Sequence, residues 1–157
     1  MMPRLQRLQE VFPDAPVYFV TACTWRLRNV LANDAARQAV ESFAGSGPAS
    51  GAWLGSYVLM PDHLHAFVAL DPARCTLSRW MKALKAALSR TLRARGVEGT
   101  VWQKGFFDHV LRSGESASEK WAYVLANPVR AGLVAKAEDW PFWGQVHLLR
   151  SDDCDRP

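Results

Sequence analysis

Two hydrophobic periods alternate along this chain, one of about two residues and one of three to four, and they divide it into strands and helices. Val17-Tyr18-Phe19-Val20-Thr21-Ala22-Cys23-Thr24 is rich in β-branched and aromatic residues and predicts a first strand. Asn33 or Asp34 can cap a helix running to about Phe43. The breaker cluster from Gly45 to Gly51 predicts a loop. Two apolar runs follow, Ala52 to Met60 and His63 to Leu70, and the Pro61-Asp62 step between them predicts a hairpin or a tight strand connection. Thr76 or Ser78 can cap a second helix that ends near Arg95 at Gly96. Its apolar positions Leu77, Trp80, Met81, Leu84, Leu88 and Leu92 form one stripe, with the cations mostly off it. Val101-Trp102 and Phe106 to Leu111 are short strand candidates around Lys104-Gly105. Ser113 or Ser116 can cap a third helix through about Ala126, and Pro128 should end or kink it at Asn127. The remainder reads as loop, a short helical turn and a weak final element.

The resulting order, β-α-β-β-α-β-α, predicts an α+β domain of ferredoxin-like type, an antiparallel sheet with helices packed on one face. At 157 residues the chain is one ordinary domain, with a core expected over about 16–145 and a peripheral C-terminal tail. A hydrophobic share of 49% with 22% charged residues excludes a disordered or fibrous chain. No apolar run approaches the roughly 18 residues of a membrane span, and the N-terminus lacks the apolar stretch of a signal peptide, so a cytoplasmic location is expected. Cys23, Cys75 and Cys154 form no CxxC pair, which argues against a disulfide scaffold and a zinc ribbon.

Charge adds a direction. The net charge is only +4, but Arg74, Arg79, Lys82, Lys85, Arg90, Arg93 and Arg95 follow one another without an acid between them. Such a stripe fits a polyanion partner, and equally a solvated helix face. His63-Leu64-His65 lies in a predicted strand, where residues two apart share a face, so both imidazoles project together as the start of a divalent metal site. Two ordinary polar residues on a half-exposed strand would look the same. Tyr123 and Asn127 are four apart and share a helix face, though a core-edge tyrosine and a cap before Pro128 would also be four apart. Trp102 to Arg112, WQKGFFDHVLR, interleaves aromatics with cations, as a surface that stacks bases and tracks phosphates does, and as an edge strand with core phenylalanines does.

Together, YVLMPDHLHAFV, the basic helix, WQKGFFDHVLR and YVLANPVRAGLV closely resemble, in order, the REP-associated tyrosine transposases, a branch of the single-tyrosine HUH transposases of insertion sequences. The resemblance spans about Val17 to Trp143. It implies a ferredoxin-like fold and metal-dependent cleavage and rejoining of single-stranded or hairpin DNA. His63-Leu64-His65 matches the HUH motif, and the block from Tyr123 makes Tyr123 the nucleophile. The resemblance also makes Asn127 the third metal ligand beside His63 and His65, with Mg²⁺ or Mn²⁺ suited to that donor set. Arg79, Lys82, Lys85, Arg90, Lys104, Arg112 and Arg130 are expected at the DNA backbone, with Trp102 and Phe106 as stacking surfaces. Asp108 or His109 could orient a ligand. Asp62 stands where relatives often carry asparagine. Insertion-sequence relatives act as dimers and the REP-associated branch resembles monomers, so the oligomeric state stays open. A non-catalytic DNA-binding module and a phosphodiesterase using water are the competing readings.

Overall fold

The computed structural model describes residues 15–111 and 117–149. Five strands, β1 (Val17–Cys23), β2 (Ala52–Leu59), β3 (His63–Leu70), β4 (Phe107–Val110) and β5 (Trp143–Gln145), form one sheet in the order β4-β1-β3-β2-β5. Every pairing is antiparallel. The first four strands carry the expected ferredoxin-like order, and β5, three residues long, extends the β2 edge. Among the described residues no helix is long and apolar enough to cross a membrane.

Two helices cover one face of the sheet. The Asn33 side chain caps α1 (Asp34–Gly45) by accepting from the Ala36 amide, and Thr76 caps α2 (Leu77–Ala94) by accepting from the Arg79 amide. Gly96, at φ +92°, takes the left-handed conformation just past the end of α2 that a side chain would strain. Trp80, Met81, Leu84 and Leu88 of α2 pack with Val20, Ala22, Leu64, Ala66, Val68 and Leu70 of the sheet, so the apolar stripe is buried as its spacing predicts.

The other face is covered too, which corrects the expectation of helices on one side only. α3 (Ala117–Leu125) crosses it, with Val124 buried against Val58 and Trp140, and with Trp121 edge-on to Phe67 at 5.8 Å between ring centroids. Phe19, Phe67 and Val58 are large apolar residues on strand positions facing away from α1 and α2, and a sheet apolar on both faces needs cover on both. Pro128 does kink the chain. α3 ends at Leu125, and a four-residue helix, α4 (Asn127–Arg130), restarts with Pro128 in its first turn, where the missing amide hydrogen costs nothing. The predicted caps Ser113 and Ser116 lie outside the described residues, as does Cys154.

Candidate metal and nucleophile site

Alternation along β3 sends Leu64, Ala66 and Val68 toward α1 and α2 and leaves His63, His65 and Phe67 on the face that α3 crosses. The two imidazoles meet edge to face, 4.9 Å between centroids. Each is held at its Nδ1. His63 Nδ1 lies 2.7 Å from the Asp62 carboxylate, and His65 Nδ1 lies 2.8 Å from Thr21 Oγ1 on the neighbouring strand. A carboxylate only accepts, so His63 carries a proton on Nδ1, and Nε2 is the nitrogen left for a metal. The Phe19 ring stacks on His65 at 5.3 Å. Burial foremost, then the charges of His63 and Arg130, pushes the His65 pKa down to about 4, which keeps this imidazole neutral in ordinary buffers. Cys23 pairs with His63 across the ladder, and burial raises its thiol pKa, keeping it protonated.

The groups that hold the two imidazoles are Asp62 and Thr21, and not Asp108. Asp108 pairs with Val20, whose side chain lies in the α1–α2 core, and so belongs to the wrong face. His109 pairs with Phe19. The signal for Asp62 was its place directly before His63; for Thr21, a hydroxyl in the middle of an otherwise apolar strand.

Tyr123 and Asn127 project from α3 and α4 beside the same sheet face. Tyr123 is 67% exposed, unlike its buried neighbour Val124. Arg130 ties the two together. Its guanidinium lies over the Tyr123 ring at 4.0 Å and donates to the Tyr123 carbonyl at 2.9 Å and to Asn127 Oδ1. Two imidazoles on one face, each anchored at Nδ1, fit a divalent cation, and the Asn127 oxygen, which keeps a second lone pair beside its bond from Arg130, is a fitting third donor.

The expected DNA-contacting residues separate into groups. Arg79, Lys82, Arg90 and Arg93 are exposed on the outer side of α2, behind the sheet from the histidines. Lys85 and Trp102 make hydrogen bonds within the protein. Half-buried, Lys85 donates to the Gln103 and Gly105 carbonyls, and the Trp102 indole donates to the Lys85 carbonyl. Burial lowers the Lys85 pKa. Phe106 packs against the α1–α2 core, and the exposed ring is that of Phe107. Lys104 is exposed beside it, and Arg112 lies outside the described residues.

Comparison with known proteins gives a consistent picture. The family model described as "Transposase IS200 like" matches residues 16–124. An Escherichia coli protein named REP-associated tyrosine transposase is 29% identical over 89 residues, covering 57% of this chain and 52% of its own. A Haemophilus influenzae relative is 27% identical over 94 residues, covering 54% of this chain and 53% of its own. The chain thus spans about half the length of the curated relatives it matches. Among solved structures, a REP-associated tyrosine transposase bound to a REP hairpin superposes with a TM-score of 0.62 at 24% identity, over 82% of this chain and 76% of that one. That match shows a shared fold.

Proposed function

The chain belongs to the IS200-like transposase family, and from that premise we propose that it is a DNA endonuclease and strand transferase acting on single-stranded or hairpin DNA. One observation carries this reading. His63 and His65 share a sheet face with their Nδ1 atoms tied to Asp62 and Thr21, and the helix that crosses that face, α3, carries Tyr123 and leads into Asn127. Hairpin DNA is the favoured substrate because a structural neighbour of the same fold is bound to a REP hairpin.

His63, His65 and Asn127 would hold Mg²⁺ or Mn²⁺. When bound, the cation supplies polarisation of the phosphate and stabilises charge on the departing oxygen. Tyr123 Oη attacks phosphorus, and the P–O3′ bond breaks. The phenol proton passes to solvent and the departing 3′ oxygen takes one up. The products are a 5′-phosphotyrosine and a free 3′-OH. The phosphodiester bond energy is retained, so a 3′-OH from another strand reverses the step and rejoins DNA. Exposure leaves the Tyr123 ring open to a strand arriving from solvent. Arg130, whose guanidinium lies over the Tyr123 ring, would bring a positive charge beside the phosphate under attack.

The test is a denaturing gel of end-labelled single-stranded hairpins, with Mn²⁺ or with chelator, against wild type and Tyr123→Phe. A covalent protein–DNA band that needs both the metal and Tyr123 is expected, with hairpin binding retained by the variant. A variant that still cleaves would move the assignment to a water nucleophile. Binding by wild type with no band on any hairpin would leave a non-catalytic DNA-binding module.

A further inference from the structure

Phe107 is the most exposed large apolar side chain among the described residues, at 72%. The strand register says where it points. Thr21 pairs with Phe107 on one side and with His65 on the other. Residues directly opposite in a ladder share a face, so Phe107, Thr21 and His65 form one row across β4, β1 and β3, with Phe107 two strand spacings, about 10 Å, from His65. The row lies on the histidine face. β4 is the outer strand of the sheet, so the ring borders solvent rather than another strand.

The loop before Phe107 is tied down. Lys85 reaches from the far side of the sheet to the Gln103 and Gly105 carbonyls and fixes the loop that enters β4. Exposed Lys104 stands at the same loop. An exposed aromatic face on a strand whose entry loop carries a cation, in line with a candidate phosphate-cleaving site, is the arrangement that stacks an unpaired base while its backbone runs past a positive charge. A short edge strand whose other residues include Asp108 and His109 is poorly suited to zip against a second copy of the chain.

We propose that Phe107 is a stacking platform for an unpaired base of single-stranded DNA, next to the phosphate presented to His63 and His65. The inference rests on the single-strand reading of the site and adds the residue that grips the neighbouring nucleotide.

The experiment measures affinity of the full chain for a short oligothymidylate, using wild type, Phe107→Ala, Phe107→Leu and Phe107→Tyr, and follows the Tyr123 adduct on a hairpin in parallel. Exposure of the ring means that all three variants should fold, which unchanged thermal unfolding would verify. Phe107→Ala and Phe107→Leu should weaken binding roughly 5- to 150-fold, and Phe107→Tyr should restore it. Ultraviolet irradiation of wild type with an oligonucleotide carrying 5-iodouracil should attach the strand to the peptide containing Phe107. Binding by Phe107→Ala within twofold of wild type, with the adduct intact, overturns this inference and spares the proposed function. Leucine serving as well as tyrosine overturns stacking. A loss of self-association in Phe107→Ala at unchanged DNA affinity makes the edge an interface between copies and overturns it as well. Oligothymidylate binding that depends on Phe107, with no adduct on any hairpin, upholds the platform and sinks the chemistry. Wild type that binds no single strand overturns both.

Discussion

Strand β3 belongs to two environments at once. Its residues Leu64, Ala66, Val68 and Leu70 enter a continuous apolar core beneath α1 and α2. On the other face, His63 and His65 sit among Asp62, Thr21, Phe19 and Arg130, only partly covered by α3. A single strand thus divides labour by parity: one face pins the backbone by apolar burial, and the other uses that rigidity to hold two oriented imidazoles. A substitution on the first face should register as stability, and one on the second as ligand affinity and chemistry.

The largest effect that tests this division is Leu84→Ala on α2. Leu84 is fully buried against the sheet, and truncating it removes apolar packing and leaves a cavity. The expected loss is about 2–5 kcal/mol by denaturant unfolding, with metal affinity unchanged in the molecules that remain folded. Metal affinity falling in proportion to stability would break the division. Next comes pH. His65 has a pKa of about 4 in the folded protein against 6.5 in the unfolded chain. Between these values the unfolded chain takes up a proton that the folded protein refuses. The metal-free protein should therefore keep its full stability above about pH 6.5 and lose up to about 3 kcal/mol as the pH falls toward 4. His65→Gln should flatten that slope in the same unfolding titration.

A smaller change sharpens the comparison from within the histidine face. Asp62→Ala removes the acceptor that fixes the His63 tautomer without touching a proposed ligand. Mn²⁺ affinity should fall about 10- to 100-fold by calorimetry, with stability close to wild type. Unchanged affinity would mean that the Asp62 carboxylate does not orient His63 for metal.

How far the sequence reaches follows the same two faces. The α2 stripe was legible because a helix buried on one side repeats every three to four residues, and Trp80, Met81, Leu84, Leu88 and Leu92 are buried as that repeat requires. His63 and His65 share a face because strand parity is local. What local pattern cannot carry is which sheet face α3 chooses, since Val124 and Trp121 are apolar whichever face they meet. Nor does it reveal that Lys85 and Trp102 clasp each other, a hydrogen bond between residues 17 apart in sequence. β5 is legible only as a weak final element of no stated type, because three residues hold too little alternation; Gly144 lies against Tyr57 so closely that a Cβ would come within 2.9 Å of that ring.

The smallest expected effect belongs to the basic stripe. Arg79, Lys82, Arg90 and Arg93 fall within about a quarter-turn of α2 at 100° per residue, on the side turned away from the sheet. They therefore cannot touch a phosphate held at His63 and His65, and their reach is to DNA that continues around the molecule. Arg79→Ala with Arg90→Ala should leave cleavage of a short single strand within about twofold of wild type. On a long hairpin the same pair should weaken binding modestly at low salt and lower the slope of log affinity against log salt by about two, one for each phosphate no longer neutralised. A short-strand defect as large as the hairpin defect would put the stripe at the reacting centre and erase the distinction between the two faces. An unchanged salt slope would make α2 a solvated outer face, and the strand would then be gripped from the histidine side alone.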